Sequence, residues 1–283
     1  MSSLFNHSCV SNCTYLDYGG FHVIRAVEHI PEGTQLMLNY VGEAGYEDRQ
    51  ARLTGLMEEG FECECRRCKE DRKDGPKKRE MRQAILEQAF TKSANKGHQN
   101  TQDNAKYIAD IRAGQRHAEL LLPVLEQSYK GSDNIMKTEL ALLYRHIGTC
   151  SQLIDTFDMN KTDGLKAARC LELYLRHTGV IMAGDPVTGP RVHALKKSAI
   201  RSLPTMCTED AIVTMFGLAS IYGYTLKDSF RAGLWEQAGV ETHRLAYAPS
   251  FEFSCERNKF ISGTTEQGLV RFKSMDKESS LRG

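Results

Sequence analysis

Residues 6–13 read NHSCVSNC, and this stretch decides how the front of the chain folds. Its cysteines lie far in sequence from a second cluster, FECECRRC at residues 61–68, which contains Cys63, Cys65 and Cys68. The C-x-C-x-x-C spacing brings three thiolates around one tight turn, whereas a closed structural zinc site takes four ligands. The sequence therefore predicts a zinc site whose fourth ligand comes from the early stretch. Cys9 is the best candidate, and Cys13 remains an alternative.

The composition is that of an ordinary globular protein. Of the 283 residues, 41% are hydrophobic and 26% are charged, which is enough to bury at least one sizeable core. The formal charge is only +1, which by itself does not point to a nucleic-acid or membrane partner. No apolar run approaches the roughly 20 residues needed to cross a membrane. We expect a protein of the nucleus, the cytoplasm or both. In such a reducing compartment, clustered cysteines indicate metal ligands rather than disulfides.

The first 70 residues predict a small β-rich unit. Extended runs at 15–18, 21–27 and 36–40 are separated by turn signals, a pattern typical of an antiparallel β unit. The spacing of apolar residues then changes to that of a helix over residues 46–59, with Gly60 placed to end it. The zinc-binding cysteines follow directly.

The rest of the chain predicts helices. Mixed charges around a Gly-Pro pair indicate a linker at residues 71–82, followed by a helical domain at 83–240 and an irregular tail at 241–283. Apolar spacing predicts two antiparallel helices around 140–154 and 168–175, and further helices at 191–202 and 208–236. Paired helices of this kind favour a bundle or a stack similar to tetratricopeptide repeats. The predicted fold class is therefore α+β, with a small β-rich part before a larger all-α part.

The order of short motifs resembles a known family. In chain order, the sequence carries Asn6, His7, Ser8 and Cys9, then Asn12, a strand at 24–26, Ile30, Pro31, Glu32 and Gly33, then Leu38, Asn39 and Tyr40, and finally Phe61 before the C-x-C-x-x-C. This order is similar to the C-terminal half of a SET domain with its post-SET cysteines. The long helical region behind it resembles the SET and MYND domain group of protein lysine methyltransferases and their fungal-type relatives.

The resemblance implies a cofactor, a metal and roles for particular residues. It implies that Asn6 and His7 hydrogen-bond S-adenosylmethionine, that Phe61 packs on its adenine, and that Tyr40 is the catalytic tyrosine. It also implies that Zn²⁺ is held by four cysteines: Cys9, Cys63, Cys65 and Cys68. The implied partner is a protein substrate, a lysine of a histone or of another protein, with no membrane and no direct nucleic acid involved.

Departures from the family pattern shape the functional hypothesis. Ser11 stands where the family has proline, Thr34 and Gln35 replace an acidic residue, and Glu59 stands where related enzymes carry a channel-lining tyrosine. The N-terminal half of the SET pattern is not recognisable, so we expect an N-terminally truncated form of a methyltransferase. The alternative hypothesis is a noncatalytic, zinc-stapled helical scaffold that mediates protein–protein interaction.

Overall fold

Short strands come first along the chain and helices predominate after them, in the α+β order that the sequence predicts. The computed structural model describes residues 4–18, 21–27, 29–42, 46–56, 61–94, 104–131, 136–157, 163–182, 200–202 and 209–247. Within these ranges, no helix is both long enough and apolar enough to cross a membrane.

The strands form two small sheets at the front of the chain, and only one of them is antiparallel. Strands β2 (Cys13–Tyr18) and β3 (Phe21–Ala26) pair as the predicted hairpin. Strand β1 (Asn6–His7) instead pairs in parallel with β4 (Met37–Leu38), which corrects the prediction of an entirely antiparallel unit. Parallel neighbours require a crossover connection, and here the hairpin is part of the chain between them. The connection from β1 thus brings β4 back beside β1.

The predicted linker is helical. Helix α1 (Tyr46–Leu56) is followed by α2 (Arg66–Asp74) and α3 (Pro76–Ala94), so residues 71–82 form parts of two helices rather than a solvated connection. Gly75, at a φ of 77°, ends α2, and the proline after it suits the first position of α3. The linker prediction was wrong because some of these charged side chains are paired inside the protein. Arg82, for example, is only 1% exposed and pairs with Asp74. The predicted end of α1 at residues 57–60 lies outside the described residues.

The next helices pair as the apolar spacing predicts. They are α4 (Asn104–Ser128), α5 (Thr138–Phe157) and α6 (Gly164–His177). Helices α5 and α6 are antiparallel, since the start of α6 lies beside Asp155 and its end beside Tyr144. They approach so closely that a Cβ added at Gly148 would lie 2.9 Å from Cγ of Leu171. Glycine therefore permits this helix contact.

The last described elements differ from the prediction in two places. Residues 200–202, predicted to end a helix, form β6 (Ile200–Ser202), which pairs with β5 (Val180–Met182), while 191–199 lie outside the described residues. The helix predicted at 208–236 is two helices, α7 (Glu209–Ser220) and α8 (Ser229–Tyr247), separated by a π-helical turn at Ile221–Thr225. Helix α8 thus extends into the predicted tail, of which residues 248–283 lie outside the described residues.

Two hydrophobic clusters hold the fold together. The larger one is formed by helices α3 to α8 with the turn between α7 and α8. The smaller one lies at the front and consists of Cys9, Val41, Leu53, Cys63 and Cys68. The residue after Cys9, Val10, packs against the larger cluster, so the early stretch touches both.

Candidate functional site

Four cysteine sulfurs meet at the front of the molecule. The Sγ atoms of Cys9, Cys63, Cys65 and Cys68 all lie within 4.8 Å of one another, and those of Cys9 and Cys68 are 3.6 Å apart. Strand β1 leads directly to Cys9, while the other three precede or begin α2, where the sulfur of Cys65 caps the helix by accepting the N–H of Cys68 at 3.5 Å. The remote cysteine and the local three are thus brought together. The alternative ligand, Cys13, is buried in β2 and is not part of this group.

This four-cysteine cluster fits a zinc ion. Tetrahedral Zn–S bonds of about 2.3 Å place the four sulfurs about 3.8 Å apart, close to the 3.6 Å between Cys9 and Cys68 and within the 4.8 Å that limits the whole group. Hydrogen bonds with Cys65, Cys68 and Cys9 hold the pKa of Cys63 well below its usual range, whereas hydrogen bonds with the other three thiols, together with burial, raise that of Cys9. The pKa of Cys65 is also lowered, to about 6, so the thiols alone favour Cys63 and Cys65 as hydrogen-bond acceptors and Cys9 as a protonated donor. A divalent metal would displace those protons and use all four sulfurs as anionic ligands.

Positive charge lies next to the cluster. Arg49 on α1 is fully buried and forms an ion pair with Asp71 on α2. Burial lowers the pKa of its guanidinium, but Asp71 and the sulfurs of Cys9 and Cys68 outweigh burial and raise that pKa overall. This cation would partly balance the negative charge of four thiolates. Sequence reasoning missed this buried arginine. A signal was present, since Arg49 lies four residues before Leu53 on the same helical face, and Leu53 is buried.

The histidine of the early stretch lies between the cluster and the predicted catalytic tyrosine. The backbone N–H of Tyr40 donates to Nδ1 of His7 at 3.2 Å, and Nε2 of His7 is 3.3 Å from Sγ of Cys9. The rings of His7 and Tyr40 are 5.4 Å apart between centroids. The Tyr40 hydroxyl donates to the carbonyl oxygen of Phe5. Tyr40 is therefore tied at both its backbone and its hydroxyl to the segment 5–7.

The two remaining predicted cofactor residues lie beside this pair. The ring of Phe61 meets that of His7 edge to face at 6.4 Å between centroids, and Phe61 is 36% exposed. Asn6 precedes His7 in β1, opposite Met37, and its side chain is exposed. The structure thus brings His7, Tyr40 and Phe61 together around one partly open surface, with Asn6 at its margin. An aromatic face with polar neighbours is the kind of surface on which an adenine ring packs.

Two asparagines shape the backbone of this surface. Asn12 accepts the N–H of Met37 and donates to the carbonyl of Gln35, both at 2.9 Å, so it fixes the segment leading into β4. Asn39 accepts the N–H groups of Val41 and Gly42 at 3.1 Å, which tightens the turn after Tyr40. These side chains replace backbone partners that such short strands lack. Sequence reasoning included both residues in the motif without assigning them this role.

Comparisons with known proteins agree with this arrangement. Residues 1–41 match the family model of the SET domain. Over 68 residues, the chain is 34% identical to a methyltransferase of Gibberella zeae, covering 24% of this chain and 9% of that protein. Over 76 residues, it is 38% identical to histone-lysine N-methyltransferase ASHR2 of Arabidopsis thaliana, covering 24% and 19%. Over 163 residues, it is 30% identical to N-lysine methyltransferase SMYD2-A of Xenopus laevis, covering 53% and 35%.

The match to SMYD2-A extends over more of this chain than the match to the SET family model, so it includes sequence beyond the strands. The chain spans about a third or less of the length of these curated relatives. The resemblance inferred from the short motifs is confirmed: this chain carries a segment that matches the SET domain, and it is similar to lysine methyltransferases, including one of the SET and MYND type.

Proposed function

We propose that the protein is an S-adenosylmethionine-dependent protein-lysine N-methyltransferase of the SET and MYND type. The observation that carries the proposal is the meeting of His7, Tyr40 and Phe61 beside the four-cysteine cluster, within and next to the segment that matches the SET family. Residues distant in sequence converge there on one partly open surface.

The cluster has a structural role in this proposal. Four sulfurs fill every position of a tetrahedral zinc ion, so no position remains for water or substrate. The metal would hold the early stretch, with its Asn6 and His7, against the segment 61–68. Asn6 and His7 would then hydrogen-bond S-adenosylmethionine, and Phe61 would pack on its adenine ring.

Tyr40 is the proposed catalytic residue. When bound, S-adenosylmethionine supplies an electrophilic methyl group on a positively charged sulfur. Transfer to a neutral lysine amine requires alignment and nearby oxygen dipoles rather than a strong acid or a covalent nucleophile. The Tyr40 hydroxyl, held toward the carbonyl of Phe5, supplies such a dipole, and its backbone is held by His7.

The substrate in this proposal is the lysine side chain of a histone or of another protein, and the site of action is the nucleus, the cytoplasm or both. The similarity to relatives named as histone-lysine and N-lysine methyltransferases supports this substrate class. The helical region, for which the sequence suggests a bundle or a stack similar to tetratricopeptide repeats, would form one wall of the substrate cleft.

Calorimetric titration of the zinc-loaded chain with S-adenosylmethionine tests the proposal. We expect saturable binding that Asn6→Ala and Phe61→Ala weaken, because each removes a proposed contact. Tyr40→Phe keeps the ring and should retain binding, while radiolabelled methyl transfer to histones falls on the order of 100- to 1000-fold. Phe157→Ala, at an exposed position on α5 far along the chain, is the matched control for Phe61→Ala and should bind normally. No binding to correctly folded, zinc-loaded protein would overturn the proposal and leave the noncatalytic scaffold.

A further inference from the structure

The two ring nitrogens of His7 lie within hydrogen-bond distance of a cysteine of the cluster and of the backbone N–H of Tyr40. We propose that His7 is a positioning residue, locked as its Nε2–H tautomer, that couples metal binding at Cys9 to the placement of Tyr40. The inference rests on the proposed function, in that the cluster holds zinc and Tyr40 acts in methyl transfer. It assigns the imidazole ring a task separate from cofactor contact.

The hydrogen bonds determine the tautomer. A backbone N–H can only donate, so the bond from Tyr40 at 3.2 Å requires a lone pair on Nδ1 of His7. A neutral imidazole carries one ring proton, which must then be on Nε2. Nε2 lies 3.3 Å from the sulfur of Cys9, within hydrogen-bond range of a sulfur acceptor. The ring therefore donates to Cys9 while it accepts from Tyr40.

Burial makes this arrangement difficult to replace. His7 is 6% exposed and Cys9 is fully buried, so water has little access to substitute for either bond. The strand pairing of β1 with β4 fixes the backbone of His7 opposite Leu38, and the rings of Tyr40 and Phe61 both lie close to its imidazole, at 5.4 and 6.4 Å between centroids. The opposite tautomer would present a proton to the Tyr40 N–H and a lone pair to the Cys9 sulfur. With Cys9 as a metal-bound thiolate, which has no proton to donate, both contacts would then be lost together.

The coupling follows from the charge on sulfur. A metal-bound cysteine is a thiolate, and a thiolate accepts an N–H bond more strongly than a neutral thiol does. Zinc at the cluster would thus strengthen the Nε2–H bond, hold the ring still and keep the Nδ1 lone pair directed at the Tyr40 amide. The donors to two other sulfurs, the Cys68 N–H and the Gln50 side chain, lie on α2 and α1. Of these three donors to sulfur, His7 is the one that also bonds to Tyr40.

Nitrogen-15 NMR of the zinc-loaded chain, labelled at its histidine rings, tests the tautomer directly. We expect His7 to show a protonated Nε2 and an unprotonated Nδ1 at neutral pH. After zinc is removed with a chelator, the Nε2–H signal should broaden or the ring should populate both tautomers. Any other ring protonation in the zinc-loaded protein would overturn the inference.

Two variants separate the two halves of the coupling. His7→Gln can place its amide nitrogen near the position of Nε2 and keep a donor for Cys9, but it lacks an acceptor for the Tyr40 N–H. His7→Asn can place its oxygen near the position of Nδ1 and keep that acceptor, but it lacks the donor. We expect His7→Asn to bind zinc about 10- to 100-fold more weakly. We expect His7→Gln to keep near-normal zinc affinity, with faster hydrogen exchange at the Tyr40 amide.

The pattern across both variants decides between coupling and simple packing. If His7→Asn and His7→Gln lose zinc affinity and Tyr40 protection equally, His7 only fills space and the inference is overturned. None of these measurements involves S-adenosylmethionine. A chain with the expected tautomer and variant pattern but no binding of S-adenosylmethionine would contradict the proposed function and leave the coupling intact. Binding of S-adenosylmethionine by a chain whose His7 is not the Nε2–H tautomer would support the proposed function and overturn the coupling.

Discussion

The front and the rear of the molecule are stabilised in different ways. The front, up to Asp74, has strands of two to six residues and a small cluster in which three of the five buried residues are cysteines. The rear, from Pro76, has a core shared by six helices. A front this small has little apolar surface to bury, so we expect the proposed metal ion to supply much of its stability, whereas helix packing suffices for the rear. The regular helical patterns and the larger hydrophobic core are in the rear, whereas the proposed chemistry is in the front.

Helix α2 joins these two regions. Its Cys68 belongs to the four-cysteine cluster, while the neighbouring Arg67, only 3% exposed, donates to the hydroxyl of Thr138 at the start of α5. At the end of α2, Asp74 pairs with Arg82 of α3 at 2.6 Å. The four-cysteine cluster is therefore connected to the helical core through buried polar contacts. These contacts are the route by which a substitution or metal loss in the front could lower the stability of the rear.

Removing the metal should have the largest effect, and it should be confined to the front. Structural zinc contributes apparent free energies on the order of 10 kcal/mol in small metal-binding folds, more than the front could replace. After chelation, we expect hydrogen exchange in peptides covering 4–14 and 61–68 to approach that of unfolded chain. Peptides from α5 and α6 should stay protected, because their core contains no proposed metal ligand. Equal loss of protection in both regions would show that the rear also depends on the metal.

Breaking the buried ion pair between α2 and α3 should have the next largest effect. Arg82 donates to Asp74 and to both the hydroxyl and the carbonyl of Ser128, and its guanidinium lies 3.5 Å from the centre of the Tyr129 ring. Arg82→Met keeps the length of the side chain but leaves a buried carboxylate without this partner. Urea unfolding of the zinc-loaded protein should show a loss of about 3–5 kcal/mol.

Lys166→Met is the matched control for the Arg82 variant. The ammonium of Lys166 pairs with Glu119 at 3.0 Å, but both side chains are at the surface. Exposed pairs of this kind contribute about 0–1 kcal/mol, so the control should unfold almost as the unsubstituted protein does. Similar losses of unfolding free energy in the two variants would mean that the pair of Arg82 with Asp74 does not stabilise the contact between the front and the rear.

Acid should weaken the rear through His177, with a smaller effect. Burial, with Lys137 and Arg176 nearby, lowers the pKa of His177 from 6.5 to about 4. The unfolded chain therefore binds a proton between about pH 6.5 and pH 4 that the folded chain does not. The stability from the neutral ring is present above pH 6.5 and is lost as pH falls through this window, by at most about 1.4 kcal/mol per pH unit.

The variant His177→Gln isolates this contribution, because its side chain does not titrate. Urea unfolding at pH 7 and pH 5 should show a smaller pH dependence for the variant than for the unsubstituted protein. The ring of His177 stacks on Tyr144 at 5.7 Å, so some stability is lost at both pH values. An unchanged difference between pH 7 and pH 5 would contradict the assigned protonation.

The sequence predicted those parts of the rear whose structure follows from residues close together in the chain. The apolar spacing along α5 and α6 predicted two antiparallel helices because residues three and four apart share a helical face. The prediction of a linker at 71–82 was wrong. Mixed charges indicate a solvated segment unless their partners are known, and Asp74 and Arg82 meet only in the folded protein. Sequence reasoning also missed the π-helical turn at Ile221–Thr225, which has no sequence signature of its own.

The candidate site was accessible from sequence in a different way. The spacing of Cys63, Cys65 and Cys68 indicated a metal site, and the resemblance selected Cys9 as the remote ligand; the structure places its sulfur with the other three. The contacts that join the site to its surroundings were not predictable. The ring orientation of His7 and the buried pair of Arg49 with Asp71 depend on side chains from different elements meeting in space.

The central claim is that one early cysteine and three later ones hold a single zinc ion and thereby position the tyrosine site. Elemental analysis of the purified, reduced chain tests it most directly, with Cys9→Ser and Cys13→Ser compared side by side. The account predicts one zinc ion per chain, a large loss of zinc affinity in Cys9→Ser, and full zinc content in Cys13→Ser. A chain that takes up no zinc, or one that loses it through Cys13→Ser while Cys9→Ser keeps it, would contradict the account.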